Sequence, residues 1–174
     1  WCEEQNLNFF YGCTNKNQNK NEAQAREWRY SQLTKLAKKI IINEPKSNYL
    51  YVVTGHTSSD KAETLIINLA RGTDLAGLGS MQEKRMLGER IELTRPMLGF
   101  NRNETSQICL EMKLPIWIDP TNQNTNLIRN KIRKKVMPIL EESYPGCSVR
   151  IAAMSERLNQ YKRDQISLAA LALR

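Results

Sequence analysis

The order of apolar and polar residues predicts a chain in which strands alternate with helices. Runs of β-branched and aromatic residues predict strands at 7–11, 49–54 and 90–93. Apolar residues at helical spacing predict helices at 21–42, 60–70, 102–112, 126–142 and 148–174. Because this alternation is typical of parallel sheets, we expect an α/β fold with a parallel sheet, followed by helices.

Two of these segments carry sharper expectations. The strand at 49–54 is almost continuously apolar, which predicts a parallel strand covered on both faces. Several apolar residues of the last helix share one stripe, and we expect this helix to be a connector toward something that is not present here. The residues of the stripe are Ile151, Met154, Leu158 and Tyr161.

The length of the chain and its first residues indicate how it is organised. A chain of 174 residues buries one core. We expect a main domain at residues 1–142 and a helical connector at 143–174, leading toward a missing C-terminal region. The start at Trp1 has the character of a helix already under way, so we interpret the chain as a fragment whose upstream part is missing.

The chain is basic, with a formal net charge of +8 and a pI near 9.4. This charge favours an anionic partner, with nucleic acid first. The alternative is a generally basic, asparagine-rich composition, because the tract at 15–21 consists only of Asn, Lys and Gln. Clustering of five basic residues without an acid at 126–135 favours the partner.

Cysteine spacing and hydropathy narrow the class of protein. The four cysteines form no C-x-x-C pair, which excludes the spacing of a zinc site or a disulfide framework and indicates reduced thiols in a cytoplasmic protein. No apolar run approaches the roughly 20 residues that a membrane span needs. We therefore expect a cytoplasmic protein with no membrane partner.

The segment at 52–64 is the strongest candidate for a ligand site, because polar side chains there follow the end of a strand. Asp60 and Glu63 lie three residues apart at a helix start, so they share one face near the positive end of the helix dipole. They are placed to hold a cationic group. The same spacing also fits a capping box with Asp60 as N-cap and Glu63 at the third helical position.

Other candidate motifs are weaker. No phosphate-binding Walker loop and no G-x-G-x-x-G is present, and His56 is the single histidine of the chain. The basic run that starts at Arg129 is a candidate for anion contacts, but Arg and Lys also commonly cover exposed helix surfaces.

Five blocks in register resemble one family, the tRNA(Ile)-lysidine synthetases of the PP-loop, or N-type ATP pyrophosphatase, superfamily. The segment GHTSSDKAET at 55–64 is similar to the family motif G-H-H-x-D-D-Q-x-E-T. The other matching blocks are NEAQAREWRY at 21–30, LARG with GL at 69–78, RPML at 95–98, and DPTN with RNKIR at 119–133.

The resemblance implies a Rossmann-like PP-loop domain, of the adenine nucleotide alpha hydrolase-like type, incomplete at its N-terminus. It implies an enzyme that ligates free L-lysine to C2 of the wobble cytidine, position 34, of tRNA-Ile with a CAU anticodon. ATP first adenylates the C2 oxygen, lysine then displaces AMP, and decoding changes from AUG to AUA. Mg²⁺ is expected with ATP, but no metal ligand is assigned. The compartment that the resemblance implies is the bacterial cytoplasm or the plastid stroma.

The resemblance also implies roles for individual residues. Asp60 and Glu63 would hold an ammonium group of lysine, and Arg129 would face its carboxylate through a bidentate pair. His56 and Asp60 are the candidate catalytic residues, with His56 beside ATP or the reacting base. The candidates for phosphate contacts with ATP or tRNA are Arg26, Arg71, Arg133 and Lys134.

Two departures from the family pattern qualify these expectations. Thr57 stands where the family has its second histidine, and Ser59 stands where it has the first aspartate of its D-D pair. The family's S-G-G-x-D-S loop lies upstream of Trp1, so we expect this fragment alone to be inactive. Three alternatives stay open: a PP-loop tRNA thiolase, a non-catalytic basic RNA-binding domain, and a truncated product without activity.

Overall fold

The computed structural model describes residues 1–13, 22–43, 49–79 and 81–173. The helices are α1 (Glu22–Asn43), α2 (Ser58–Ala70), α3 (Leu75–Leu78), α4 (Arg102–Glu111), α5 (Ile128–Lys131), α6 (Met137–Ser143) and α7 (Cys147–Ala172). The strands are β1 (Leu50–Val53), β2 (Lys84–Gly88) and β3 (Ile91–Thr94). Short 3-10 turns occupy Pro96–Gly99 and Pro120–Gln123, and a π-helical turn at Ile132–Val136 joins α5 to α6.

The chain divides into two compact units, residues 1–52 with 86–92, and residues 53–85 with 93–174. The first unit contains α1 and most of the strand residues, and the second contains α2 to α7. The predicted division into 1–142 and 143–174 stays a prediction. No helix among the described residues combines the length and the apolar character that a membrane crossing requires.

The strands form one sheet in the order β1-β3-β2. The amide of Leu50 donates to Arg90 at 2.9 Å and that of Thr54 donates to Thr94 at 3.0 Å, so β1 and β3 run parallel in one register. β2 and β3 form an antiparallel hairpin whose two-residue turn holds Arg90 at φ 61°. The α/β fold with a parallel strand pair is therefore confirmed, with an antiparallel edge strand added to it.

The sheet differs from expectation at three places. Tyr51 and Val53 are exposed while Val52 is buried, so β1 is covered on one face only. β2 was missed, because an edge strand with exposed Lys84 and Arg85 lacks an apolar pattern. The segment at 7–11 forms no strand. The sheet of the described residues consists of β1, β3 and β2, and an apolar run becomes a strand only where it pairs with a neighbouring strand.

The helices follow the predicted spans closely, except that one predicted helix is divided in two by a π-helical turn. α1, α2, α4 and α7 match their predicted segments, while the N-cap predicted at residue 21 and the Asn/Lys tract lie outside the described residues. The helix predicted at 126–142 is interrupted by the π-helical turn, in which the amide of Met137 donates to Ile132. Pro138 has no amide hydrogen for the regular ladder, which explains the irregularity just before it.

The long helix α7 packs against α2 and α3. The buried residues of α7 are Cys147, Ala152, Ser155 and Asn159. Of the apolar stripe, Ile151 and Leu158 are half-buried, and Met154 and Tyr161 are exposed. The buried Lys61 of α2 pairs with the exposed Glu156 of α7, at 2.8 Å from Nζ to Oε2.

Candidate functional site

The site starts where β1 leads into α2. Thr57 is the N-cap of α2, and its backbone amide and hydroxyl both donate to Oδ2 of Asp60 at 2.8 Å. Asp60 therefore occupies the third helical position of a capping box, and the interpretation of Asp60 as N-cap with Glu63 at the third position is wrong. Glu63 follows three residues later on the same face, and its side chain is only 2% exposed.

Three arginines surround these two carboxylates in what we call the carboxylate–arginine cluster. Its members are Asp60, Glu63, Arg102, Arg129 and Arg133, all within the second unit. Arg133 donates through Nε and Nη2 to Glu63 at 2.7 and 2.9 Å. Arg129 donates through Nε to Glu63 at 3.0 Å and through Nη2 to the backbone oxygen of Asp60 at 3.2 Å. Arg102 bridges both acids, at 3.0 Å to Asp60 and 3.1 Å to Glu63.

The arginines come from two separate parts of the chain. Arg129 and Arg133 lie on α5 and the π-helical turn, and the buried side chain of Asn130 between them fixes this segment. The side-chain amide of Asn130 donates to the carbonyls of Thr121 and Asn124 at 3.0 and 2.9 Å. These contacts give the DPTN and RNKIR blocks a structural role, because they anchor the helix that carries both guanidiniums.

Arg102 begins α4 and is held close to the start of α2. Asn101 caps α4, and the backbone amide of Arg102 donates to the hydroxyl of Ser59 at 3.1 Å. The amide of Ser58 donates to the carbonyl of Phe100 at 2.8 Å. Ser59, which departs from the family's aspartate, thus joins the two helix starts instead of adding a third carboxylate.

The cluster keeps both acids ionised. Burial raises the pKa of Asp60, but hydrogen bonds from Thr57 and the charges of Arg129 and Arg102 outweigh it, so the net pKa lies below the usual value. Burial likewise raises the pKa of Glu63, and the hydrogen bonds and charges of the arginines, Arg133 first, lower it by more. Three positive and two negative charges leave the cluster with a formal charge of +1.

A cavity of about 350 Å³ opens beside the cluster. Glu63, Arg102 and Arg133 line its charged side, and Met137 and Val149 are among its apolar residues. Another carboxylate, Glu141, and polar side chains such as Asn101, Asn103 and Ser148 also line the cavity. A space that combines charged, polar and apolar walls suits a small zwitterion with an aliphatic chain.

The structure brings together four of the predicted site residues, Asp60, Glu63, Arg129 and Arg133. Arg133, expected at a phosphate, here bonds to the carboxylates instead. Nδ1 of His56 lies 3.0 Å from the hydroxyl of Thr54 at the end of β1.

The remaining predicted residues lie elsewhere. Arg71 is exposed at the C-cap of α2, and the exposed Lys134 donates to Gln123 at 2.6 Å. Arg26 stacks on Tyr30, 5.5 Å from the ring centre, in the first unit. The roles of all the predicted site residues stay predictions: Asp60, Glu63, Arg129, His56, Arg26, Arg71, Arg133 and Lys134.

Arg102 is the cluster member that was missed, although the sequence contains a signal for it. The capping box of Asn101 and Glu104 places Arg102 at the first position of α4, where the helix dipole disfavours a cation. A basic residue at that position indicates an acidic partner outside its own helix. Which acids it meets depends on tertiary pairing across about 40 residues.

The chain as a whole is similar to known proteins. A family model described as a PP-loop domain matches residues 1–140. A protein named tRNA(Ile)-lysidine synthase from a strain of Prochlorococcus marinus is 49% identical over 173 residues, covering 99% of this chain and 52% of that protein. A protein of the same name from Parasynechococcus marenigrum is 44% identical over 177 residues, covering 99% of this chain and 50% of that protein.

The chain spans about half the length of these curated relatives. Among solved structures, the U34-tRNA thiolase NcsA from Methanococcus maripaludis is similar with a TM-score of 0.59 and 20% identity. The similarity covers 90% of this chain and 53% of that one, and it concerns the fold alone.

Proposed function

Because the chain belongs to the PP-loop domain family, we propose that it forms the lysine-binding part of a tRNA(Ile)-lysidine synthase. The observation that supports this proposal most is the carboxylate–arginine cluster beside a cavity of about 350 Å³. It offers anions and cations side by side, as the two ends of an amino acid require. The substrates would be ATP, free L-lysine and tRNA-Ile with a CAU anticodon, in the cytoplasm.

The proposed reaction has two steps. The C2 oxygen of the wobble cytidine attacks the α-phosphate of ATP, and pyrophosphate leaves. The ε-amine of lysine then forms a bond to C2, and AMP leaves with the former C2 oxygen. The attacking ε-amine must be neutral, since its nitrogen lone pair forms the new bond.

This requirement decides which end of lysine the cluster holds. Ionised carboxylates stabilise a charged ammonium group and would make it a poor nucleophile. We therefore assign the α-ammonium to Glu63, which lines the cavity, and to Asp60 beside it. The α-carboxylate is assigned to Arg129, which bonds to Glu63 but does not itself line the cavity. The aliphatic chain would lie along Met137 and Val149 and carry the ε-amine away from the cluster toward the reacting base.

ATP enters this proposal as a substrate, and Mg²⁺ would accompany it. Among the described residues no group of three His, Cys, Asp or Glu side chains suits a metal ion. The oxygens of Asp60 and Glu63 already accept hydrogen bonds from guanidiniums. The residues present do not fit a magnesium site, and we assign no step to the ion.

The basic residues outside the cluster would contact phosphate. Arg71 and Lys134 are exposed, and Arg26 lies on α1, which also carries several lysines. Contacts of this kind predict that tRNA affinity falls steeply with salt. His56 would lie beside ATP or the reacting base, because it follows the carboxyl end of β1.

The test is to incubate the full-length protein with ATP, labelled lysine and a tRNA-Ile transcript with a CAU anticodon. We expect ATP-dependent label in the tRNA and none with a transcript whose anticodon is GAU. Binding of tRNA without incorporation would favour a non-catalytic RNA-binding protein, and ATP–pyrophosphate exchange with sulfur incorporation would favour a thiolase. Either result would reject the proposal.

The lysine-binding roles need a separate test. Arg129→Gln is expected to raise the KM for lysine about ten- to a hundredfold, the value of one charge-assisted pair. Lys135→Gln is the matched control, because Lys135 is an exposed residue of the same basic run. Equal lysine KM values for the two variants would show that Arg129 does not bind lysine.

A further inference from the structure

We propose that Arg102 is a placeholder cation, whose guanidinium occupies the two carboxylates until the α-ammonium of an amino acid displaces it. The inference rests on the proposed function, which supplies lysine as the ligand. It adds a residue that determines the affinity for lysine and requires the α-amino group of the ligand to be free.

The first argument is that the carboxylates are fully occupied. Oδ1 of Asp60 accepts from all three arginines, and Oδ2 accepts twice from Thr57. Each oxygen of Glu63 accepts two hydrogen bonds from guanidiniums. A carboxylate has about four lone-pair sites. An ammonium group therefore binds only by replacing a donor.

The second argument is electrostatic. The cluster already holds three positive and two negative charges. Adding lysine without displacement would place its α-ammonium beside three guanidiniums, and its α-carboxylate would offset only one of these four positive charges, which is unfavourable in a partly buried site. Exchange of one guanidinium for the α-ammonium, with the α-carboxylate at Arg129, would leave three cations against three anions.

Arg102 is the arginine that leaves most easily. Its side chain is 37% exposed, compared with 25% for Arg133 and 18% for Arg129. It makes one hydrogen bond to each acid, whereas Arg133 makes three to the same two carboxylates. Arg102 also lines the cavity from which a ligand would arrive, and Arg129 does not.

Displacement requires only the side chain to move. The backbone of Arg102 stays fixed by Asn101, which caps α4, and by the hydroxyl of Ser59. At the first position of α4 the guanidinium also lies near the positive end of the helix dipole, which weakens its hold. The long, unbranched side chain can rotate into solvent while α2 and α4 remain in contact.

This arrangement predicts which ligands are accepted. A ligand needs a free α-ammonium to compete with Arg102, so Nα-acetyl-lysine should not bind although its ε-amine is intact. The guanidinium of Arg102 also weakens lysine binding, because part of the binding free energy of lysine must offset the loss of the ion pairs of Arg102 with Asp60 and Glu63.

The experiment measures lysine binding to the full-length protein by titration calorimetry and the KM for lysine in the labelling assay. Arg102→Gln removes the competitor and is expected to lower both the Kd and the KM for lysine about three- to tenfold, which corresponds to one partly exposed ion pair. Arg102→Lys restores a cation and should return both values toward those of the native protein. The KM for ATP should not follow this pattern.

The outcomes separate the two claims. Weaker or unchanged lysine binding by a folded Arg102→Gln variant, with native protein that binds lysine and forms lysidine, overturns the placeholder role alone. Failure of the native protein to bind lysine or form lysidine overturns the proposed function, and the inference with it. Thermal melts establish that each variant is folded, and tighter binding by Arg102→Gln cannot result from misfolding.

Discussion

Nε of Arg133 lies 2.7 Å from Oε1 of Glu63, although 70 residues separate them along the chain. This contact joins the π-helical turn to α2. Glu63 is the most buried member of the cluster, and every guanidinium there bonds to it. The cluster is therefore as much a structural centre of the second unit as a candidate binding site.

Removal of the Glu63 charge should destabilise the protein. Glu63→Gln leaves three arginines against Asp60 alone, and a broken buried ion pair costs about 3 kcal/mol at the lower end of the usual range. We expect the free energy of unfolding, measured by urea denaturation, to fall by about that amount. The control is Glu142→Gln, because Glu142 is an exposed glutamate. Equal midpoints for the two variants would contradict the structural role.

Stability should also depend on acid pH through the same two carboxyls. The pKa values of Asp60 and Glu63 are lowered in the folded state, so the unfolded chain binds more protons. Their contribution is complete above the unfolded values of about 4 and is lost as the pH falls through the lower folded values. Urea midpoints measured from about pH 6 to about pH 3 should fall, and fall less in Asp60→Asn/Glu63→Gln. An identical slope in that double variant would exclude these groups as the cause.

The contact of α3 with α7 should tolerate no side chain at Gly79. A Cβ there would lie 2.8 Å from the backbone nitrogen of Asn159 and 2.8 Å from its side-chain oxygen. Gly79→Ala should destabilise the protein by about 1–3 kcal/mol, as overpacking of a buried contact does.

Gly99→Ala is the matched control for Gly79→Ala. A Cβ at Gly99 would meet no atom within 4 Å, and the residue is exposed. Thermal melts of both variants measure the difference. An equal loss of stability would show that backbone freedom, and not the approach of α7, explains the glycine.

The sequence predicted those elements that are determined by neighbouring residues along the chain. The strand end before Gly55, the cap of α2 and the alternation of elements depend on neighbouring residues, and the structure has most of these elements close to their predicted positions. The N-cap of α2 was misplaced by three residues, because Thr57 and Asp60 are both good capping residues and spacing alone does not choose between them.

Features that depend on contacts between distant parts of the chain could not be predicted in the same way. The buried residues of α7 are small or polar, and their burial depends on the contact with α2 and α3, so no apolar pattern marks them in the sequence. Motif resemblance assigned Asp60, Glu63 and Arg129 to one site, and their side chains do meet. The capping box of α4 marks Arg102 as a cation at a helix start, but which acids it meets depends on how the loop after β3 places α4.

The π-helical turn gives α5 and α6 an unusual period. In a regular α-helix, residues four apart drift by about 40° around the axis. The wider turn at Ile132–Val136 counteracts that drift, and Arg133, Met137 and Glu141 all line one cavity. A π-helical turn takes up one extra residue and lets the helix after it continue in its direction. Loss of one residue from this turn would therefore leave the apolar wall at Met137 in place but change the spacing between Met137 and the guanidiniums before it, so the deletion would alter how the charged end of a ligand meets its aliphatic part.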